Sequence, residues 1–154
     1  MSFMASMFGT EKPVIGMLHL QPLPGDPLYY PGGSVSRVID AAKRDLEALQ
    51  SGGVDGILIT NELSMPYEQH VSAVTLAAMG HVIGALAADF STPWGAEAIY
   101  DGDATIELCA AVDGRAALPG DRAVIVPHQR AVLFHEQRQR QRPGGTDARP
   151  GHTA

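Results

Sequence analysis

The sequence predicts an α/β fold built from three successive strand–helix units around a parallel sheet. Two short, nearly continuous apolar runs, "VIGMLHL" at 14–20 and "VDGILIT" at 54–60, fit strands covered on both faces. Helix-period segments follow each run, and alternation with a crossover each time implies a parallel sheet with right-handed connections.

The elements follow in chain order. After the first strand, Pro22, Pro24, Pro27 and Pro31 rule out regular structure up to about Gly33. Ser34 can cap a helix in which Val35, Val38, Ile39, Ala42, Leu46 and Leu49 recur at helical spacing, with Gly52 and Gly53 as the stop. The second strand ends in "NELSMPY". A second helix is expected over about 72–87, with Val74, Ala77, Ala78, His81, Val82 and Leu86 on one side. Gly80 and Gly84 weaken it by ~1 kcal/mol each in water but permit close packing. "PWGAEAIYD" at 93–101 reads as a third strand, and Asp103 can cap a third helix over 104–112.

Past Val112 the pattern fails. "DRAVIVPH" allows one more strand, with about 122–127 strand-like, while 137–154 lacks apolar periodicity and reads as disordered. The charge breaks at the same point. Residues 1–112 carry four basic and thirteen acidic side chains, a net −9, whereas 113–154 carry seven arginines and four acids, a net +3. Residues 1–112 are therefore read as a domain and 113–154 as an atypical, mostly disordered extension.

The 154 residues suit one domain, and a hydrophobic fraction of 45% is enough for a core. A net charge of −6 argues against a nucleic-acid partner. The lone Cys109 excludes an intrachain disulfide and fits a reducing, cytoplasmic compartment. The start, "MSFMASMFGTEKP", lacks the basic and apolar regions of a signal peptide. No run approaches the ~20 apolar residues of a membrane span, so no stable membrane insertion is expected.

Five segments together resemble the BtpA family, which includes SgcQ-like proteins: "KPVIGMLHLQPLPGDPLY", "GGVDGILITNELSMPY", "VSAVTLAAMGHVIGAL", "PWGAEAIYD" and "DATIELCAAV". The likeness covers about residues 12–112. It implies a phosphate-binding (β/α)8 barrel of the TIM type, of which this chain matches three βα units and is incomplete. A full barrel needs eight strands and typically ~250 residues. The Arg-rich, Lys-free sequence after 113 resembles a frameshifted reading of GC-rich DNA, and the alternative is a natural short variant with its own extension. Some family members are linked to photosystem I biogenesis and others to sugar-utilisation gene clusters. The resemblance supplies no reaction, cofactor or metal.

In such barrels function gathers at the C-terminal ends of the strands. Candidate catalytic residues are His19, which closes the first strand, Glu62 after the second, and Asp101 after the third. Candidate ligand-binding residues are Asn61 and Glu97. His19 suits a general acid or base, a metal ligand or a donor to an anion; a buried, hydrogen-bonded histidine is the structural alternative. Glu62 suits a base or a cation ligand, with Asn61 orienting the substrate; the alternative is a loop carboxylate and a turn Asn. Glu97 and Asp101, four apart on one strand, share a face if the strand runs through both. A metal held by His19, Glu62 and Asp101 is chemically allowed but has no spacing signature. Asp101 as a turn residue is the alternative.

Three function classes remain open: an enzyme acting on a small sugar-like or phosphorylated metabolite, a non-catalytic assembly or stability factor, and an inactive truncated product. Bare inward faces at Ile15, Met17 and Ile57 or Leu58, with an open edge at strand 3 or at "DRAVIVPH", predict a homo-oligomer or aggregation.

Overall fold

The computed structural model describes residues 2–113, 123–125 and 133–134. A five-stranded sheet runs in the order β1-β2-β3-β4-β5. Its strands are β1 (Ile15–His19), β2 (Gly56–Thr60), β3 (Trp94–Glu97), β4 (Ala123–Ile125) and β5 (Leu133–Phe134). The first four are parallel neighbours, and β5 pairs antiparallel to β4. Helices α2 (Val35–Ser51), α3 (Ala73–Leu86) and α4 (Gly102–Asp113) connect successive parallel strands or follow them, and α1 (Phe3–Phe8) precedes β1.

Local chemistry sets these boundaries. The hydroxyl of Ser34 accepts from Ser36 N–H at the start of α2, and that of Ser72 accepts from Thr75 N–H at the start of α3. Each satisfies an otherwise unpaired donor of a helix's first turn. At the opposite end of the sheet, Asp55 ties β1 to β2. Its carboxylate accepts from Val14 N–H at 2.8 Å and its own N–H donates to the Val14 carbonyl at 2.8 Å.

Register assigns the two faces of the sheet. Gly16, Leu18, Ile57, Ile59, Trp94 and Ala96 share the face packed under the helices, since paired residues of parallel strands point the same way. Leu18, Ile57, Ile59, Trp94 and Ala96 join Val38, Ala42 and Leu46 of α2, Met79, Val82, Ile83 and Leu86 of α3, and Leu108, Cys109 and Val112 of α4 in one core. Trp94 stacks on Phe90 with ring centroids 4.9 Å apart. The other face carries Ile15, Met17 and His19 on β1, Gly56, Leu58 and Thr60 on β2, and Gly95 and Glu97 on β3. Ile15 and Met17 are exposed, and β1 is an outer strand of the sheet.

Several expectations need correction. The third strand stops at Glu97 instead of running to 101. The Ala98 carbonyl accepts from Asp101 N–H at 3.0 Å, and Tyr100 takes φ 65, so the chain turns at once. Glu97 and Asp101 therefore do not share a strand face. Helix α4 begins at Gly102, and Asp101, not Asp103, caps it through Ala104 N–H at 2.9 Å. Helix α3 buries Thr75, Ala78, Met79, Val82, Ile83 and Leu86, leaving Val74 and His81 exposed. That helix is apolar around most of its circumference, so spacing did not single out the buried stripe.

The open edge is not at β3, because β4 covers it, and β4 is itself paired on both sides. Strand β4 falls inside the segment read as strand-like. Helix α1 and strand β5 carry no comparable sequence signal, being 6 and 2 residues long. The expected disorder of 137–154 lies outside the described residues.

Candidate functional site at the C-terminal ends of the strands

The polar side chains gather at one end of the sheet. His19, Thr60 and Glu97 are paired across β1, β2 and β3, and their side chains form one row on the face away from the helices. His19 is exposed, which overturns the buried-histidine alternative, and its side chain makes no hydrogen bond to another described residue. Thr60 and Glu97 are buried, at 1% and 9% exposure. Leu20 N–H donates to the Thr60 carbonyl at 2.9 Å, so the β1–β2 ladder continues one residue beyond His19.

Asn61 and Glu62 follow directly. Asn61 is buried and its side-chain oxygen accepts from Ile99 N–H at 2.7 Å, joining the second loop to the third. Its carbonyl accepts from Ser64 N–H at 2.9 Å. Glu62 is half-buried, and its backbone carbonyl takes the Tyr67 hydroxyl at 2.8 Å. Burial first, and the neighbouring Glu62 second, raise the Tyr67 pKa, so this phenol is a donor at neutral pH. Tyr67 meets Tyr100 edge-to-face at 5.2 Å.

Asp101 is buried, and its two oxygens accept from Ala104 N–H and Val71 N–H, each at 2.9 Å. His70 Nδ1 lies 3.9 Å away on an exposed ring. The Ala104 hydrogen bond is the main cause that lowers the Asp101 pKa below its ordinary 3.8; the Val71 bond and His70 add to it while burial opposes. A carboxylate so held is a weak proton acceptor. It is strongly placed to order the third loop and the segment before α3. Because its folded pKa is depressed, its contribution to stability is present above the unfolded value and is lost as pH falls through the folded one. Asp101→Ala is expected to cost about 2 kcal/mol at neutral pH, from a lost cap and an orphaned Val71 N–H. Melts recorded down a pH series should show the gap to the wild type closing below about pH 4. A gap that stays constant to low pH would contradict this assignment.

The first loop holds a group that composition and spacing did not flag. The Asp26 carboxylate accepts from Leu23 N–H at 2.6 Å, Ser64 Oγ at 2.5 Å and Thr75 Oγ1 at 3.2 Å. One carboxylate thus joins the first loop to itself, to the second loop and to α3. Gly25 beside it has φ +100, and a Cβ there would lie 2.9 Å from Thr75 Oγ1. The Pro-Leu-Pro-Gly-Asp run is the sequence of this docked turn: glycine permits the φ and the approach, and aspartate supplies the acceptors. An Asp directly after a Gly in a proline-rich loop was the available signal.

Among the described residues no three His, Cys, Asp or Glu side chains come together closely enough to hold a metal ion. The combination of His19, Glu62 and Asp101 is therefore not assembled. Among the described residues, open clefts flank the helices at two places. One, of about 360 Å³, lies against the first loop, with Gln21, Tyr29, Tyr30, Ser34 and Arg37 in its wall. The other, of about 500 Å³, lies between α3 and α4 at Gly80, His81, Gly84 and Ala111. No helix among the described residues is long and apolar enough to cross a membrane.

A parallel sheet joined by crossover helices, with polar side chains and hydrogen-bonded loops at the strands' C-terminal ends, defines an α/β protein built from strand–helix units. A family model described as the BtpA family matches residues 10–117, and the chain belongs to that family. It is 43% identical over 115 residues to the "Putative sgc region protein SgcQ" of Escherichia coli (strain K12), covering 75% of this chain and 43% of that protein. It is 39% identical over 80 residues to the "Photosystem I biogenesis protein BtpA" of Synechocystis sp. (strain ATCC 27184 / PCC 6803 / Kazusa), covering 51% and 27%. An uncharacterized protein of Thermococcus kodakarensis is 36% identical over 103 residues, covering 66% and 39%. The chain thus spans less than half the length of these relatives. No solved structure gives a significant match.

Proposed function

We propose that residues 12–112 form the first three βα units of a (β/α)8 barrel whose C-terminal mouth binds a small metabolite of sugar-like or phosphorylated type. One observation carries the reading: an exposed imidazole, His19, without a hydrogen-bond partner among the described residues, stands at the strand ends beside loops that are tied down by Asp26, Asn61 and Asp101. Ordered walls beside an exposed imidazole suit ligand binding, because less entropy is lost when the ligand arrives.

In this reading His19 and Glu62 exchange protons with the ligand, and Glu97 and Asn61 hold it. Asn61 acts chiefly by fixing the third loop through Ile99 N–H. Asp101, first a candidate for catalysis, serves as a positioning residue, since backbone donors occupy both oxygens. The complete reaction belongs to the whole barrel, including strands beyond those matched here.

A non-catalytic assembly role is the second reading. It is supported by the name of the Synechocystis relative and by the exposed Ile15 and Met17 on the outer strand β1, at 41% and 44% exposure. Such apolar surface suits a protein partner or a second copy of this chain.

A thermal-shift screen of sugars and sugar phosphates decides between the two. The metabolite reading expects at least one compound to raise the melting temperature of the wild type. It expects that shift to fall by more than half in His19→Ala and in Glu62→Gln, with both variants folded. A shift that survives in both variants, or no shift with any compound, would favour the assembly reading.

A further inference from the structure

Thr60 is the central member of the row His19, Thr60 and Glu97. The Thr60 hydroxyl is 1% exposed, and its Oγ1 meets no hydrogen-bond partner among the described residues. An orphaned buried hydroxyl is costly, and valine fills the same volume without it. Thr60 stands at the last position of β2, level with His19 on one side and Glu97 on the other. His19 beside it is exposed.

The charge of the three described loop segments beside this row is one-sided. Residues 19–34, 60–72 and 97–103 contain Asp26, Glu62, Glu68, Glu97, Asp101 and Asp103 and no Lys or Arg. Such a rim disfavours an anionic group in direct contact with the row. A carboxylate offers acceptor sites for two hydroxyl protons, a threonine hydroxyl both donates and accepts, and a neutral imidazole does the same through its two nitrogens. Two adjacent hydroxyls of a neutral ligand match that set.

We propose that Thr60 is a ligand-contact residue, at the centre of a His19–Thr60–Glu97 subsite that binds the vicinal diol of a polyhydroxylated ligand. This rests on the reading of the strand ends as a ligand mouth, and names the part of the ligand that this half of the mouth takes. A phosphate, where the ligand has one, sits elsewhere on the rim.

The test uses the full chain and two probes, D-ribose and inorganic phosphate, followed by amide chemical shifts in the wild type, Thr60→Val, Thr60→Ser and Glu97→Gln. D-ribose is expected to shift the amides of His19, Asn61 and Ala98 in the wild type. Thr60→Val should bind it about tenfold more weakly while melting no lower than the wild type. Thr60→Ser, which keeps the hydroxyl, should bind within about threefold of the wild type. Glu97→Gln should also weaken binding if it folds. Wild-type affinity in Thr60→Val would overturn the proposal. So would a lower melting temperature in that variant, because the hydroxyl would then have a structural partner. If the wild type ignores D-ribose but phosphate shifts those same amides, the diol subsite is overturned and the ligand mouth stands. If neither probe moves them, both readings fail.

Discussion

Trp94→Ala is expected to remove cooperative folding. Trp94 is 1% exposed on the helix-facing side of β3, stacked at 4.9 Å on Phe90. Truncating a buried tryptophan costs about 3–5 kcal/mol, because apolar transfer energy is lost and a cavity remains. Domains of this size hold only about 5–15 kcal/mol of net stability. The loss falls where β3 meets α4, on the strand that links the β1–β2 pair to β4. Far-UV circular dichroism should show a broad, early melt, and amide exchange in β2 and β3 should accelerate together. Trp94→Phe, which keeps a ring, should retain a sharp transition. A Trp94→Ala melt as sharp as the wild type, and within a few degrees of it, would mean that the core does not depend on this packing.

The second large effect is expected from Asp26→Ala. Leu23 N–H and Ser64 Oγ lose their acceptor at once, and Thr75 Oγ1 is left with the Pro24 carbonyl at 3.4 Å and Ser72 Oγ at 2.9 Å. Hydrogen bonds to a charged group are each worth about 1.5–3 kcal/mol when buried. Asp26 is half-buried, so water can replace part of this. A total of about 2–3 kcal/mol follows. The functional consequence is the more specific one. Only the first loop, the Ser64 turn and the start of α3 should loosen, and exchange should rise at 21–26, 64 and 72–75 while β1–β3 stay protected. Asp26→Asn, which can keep one acceptor, should fall between. Uniform destabilisation without this local pattern would contradict the role of Asp26 as the tie between loops.

The strands and the first helix were legible because burial in them is simple. Residues 14–20 and 54–60 are short apolar runs, and α2 buries Val38, Ala42 and Leu46 at strict helical spacing. Helix α3 was legible as a helix but not in its orientation, since apolar residues occur all round it. The third strand was read too long because "PWGAEAIYD" alternates acceptably to Asp101. Only the hydrogen bond from Asp101 N–H to the Ala98 carbonyl and the positive φ of Tyr100 end it at Glu97.

The candidate site was legible in position and less so in roles. Expected strand ends point to His19, Asn61, Glu62 and Asp101; the first three do stand at one end of the sheet, and Glu97, expected within the third strand, is where that strand ends. That Asp101 also holds Val71 N–H, that Asp26 joins three segments and that Thr60 is buried with no hydrogen-bond partner among the described residues all depend on how residues distant in sequence come together. Asp26 and Ser64 are 38 positions apart, and Val71 and Asp101 are 30. No local pattern encodes such pairs, because each half is an ordinary loop residue by itself.

The central claim is that the C-terminal ends of the strands are where this protein meets a ligand. Mapping amide shifts across the chain during titration with the best compound of a metabolite screen tests it most directly. The account predicts that the shifts concentrate at His19–Gly25, Thr60–Glu62 and Glu97–Asp101, and that His19→Ala weakens them. Shifts centred instead on Gly80, His81 and Gly84 between α3 and α4, or on the opposite end of the sheet at Val14 and Asp55, would contradict it.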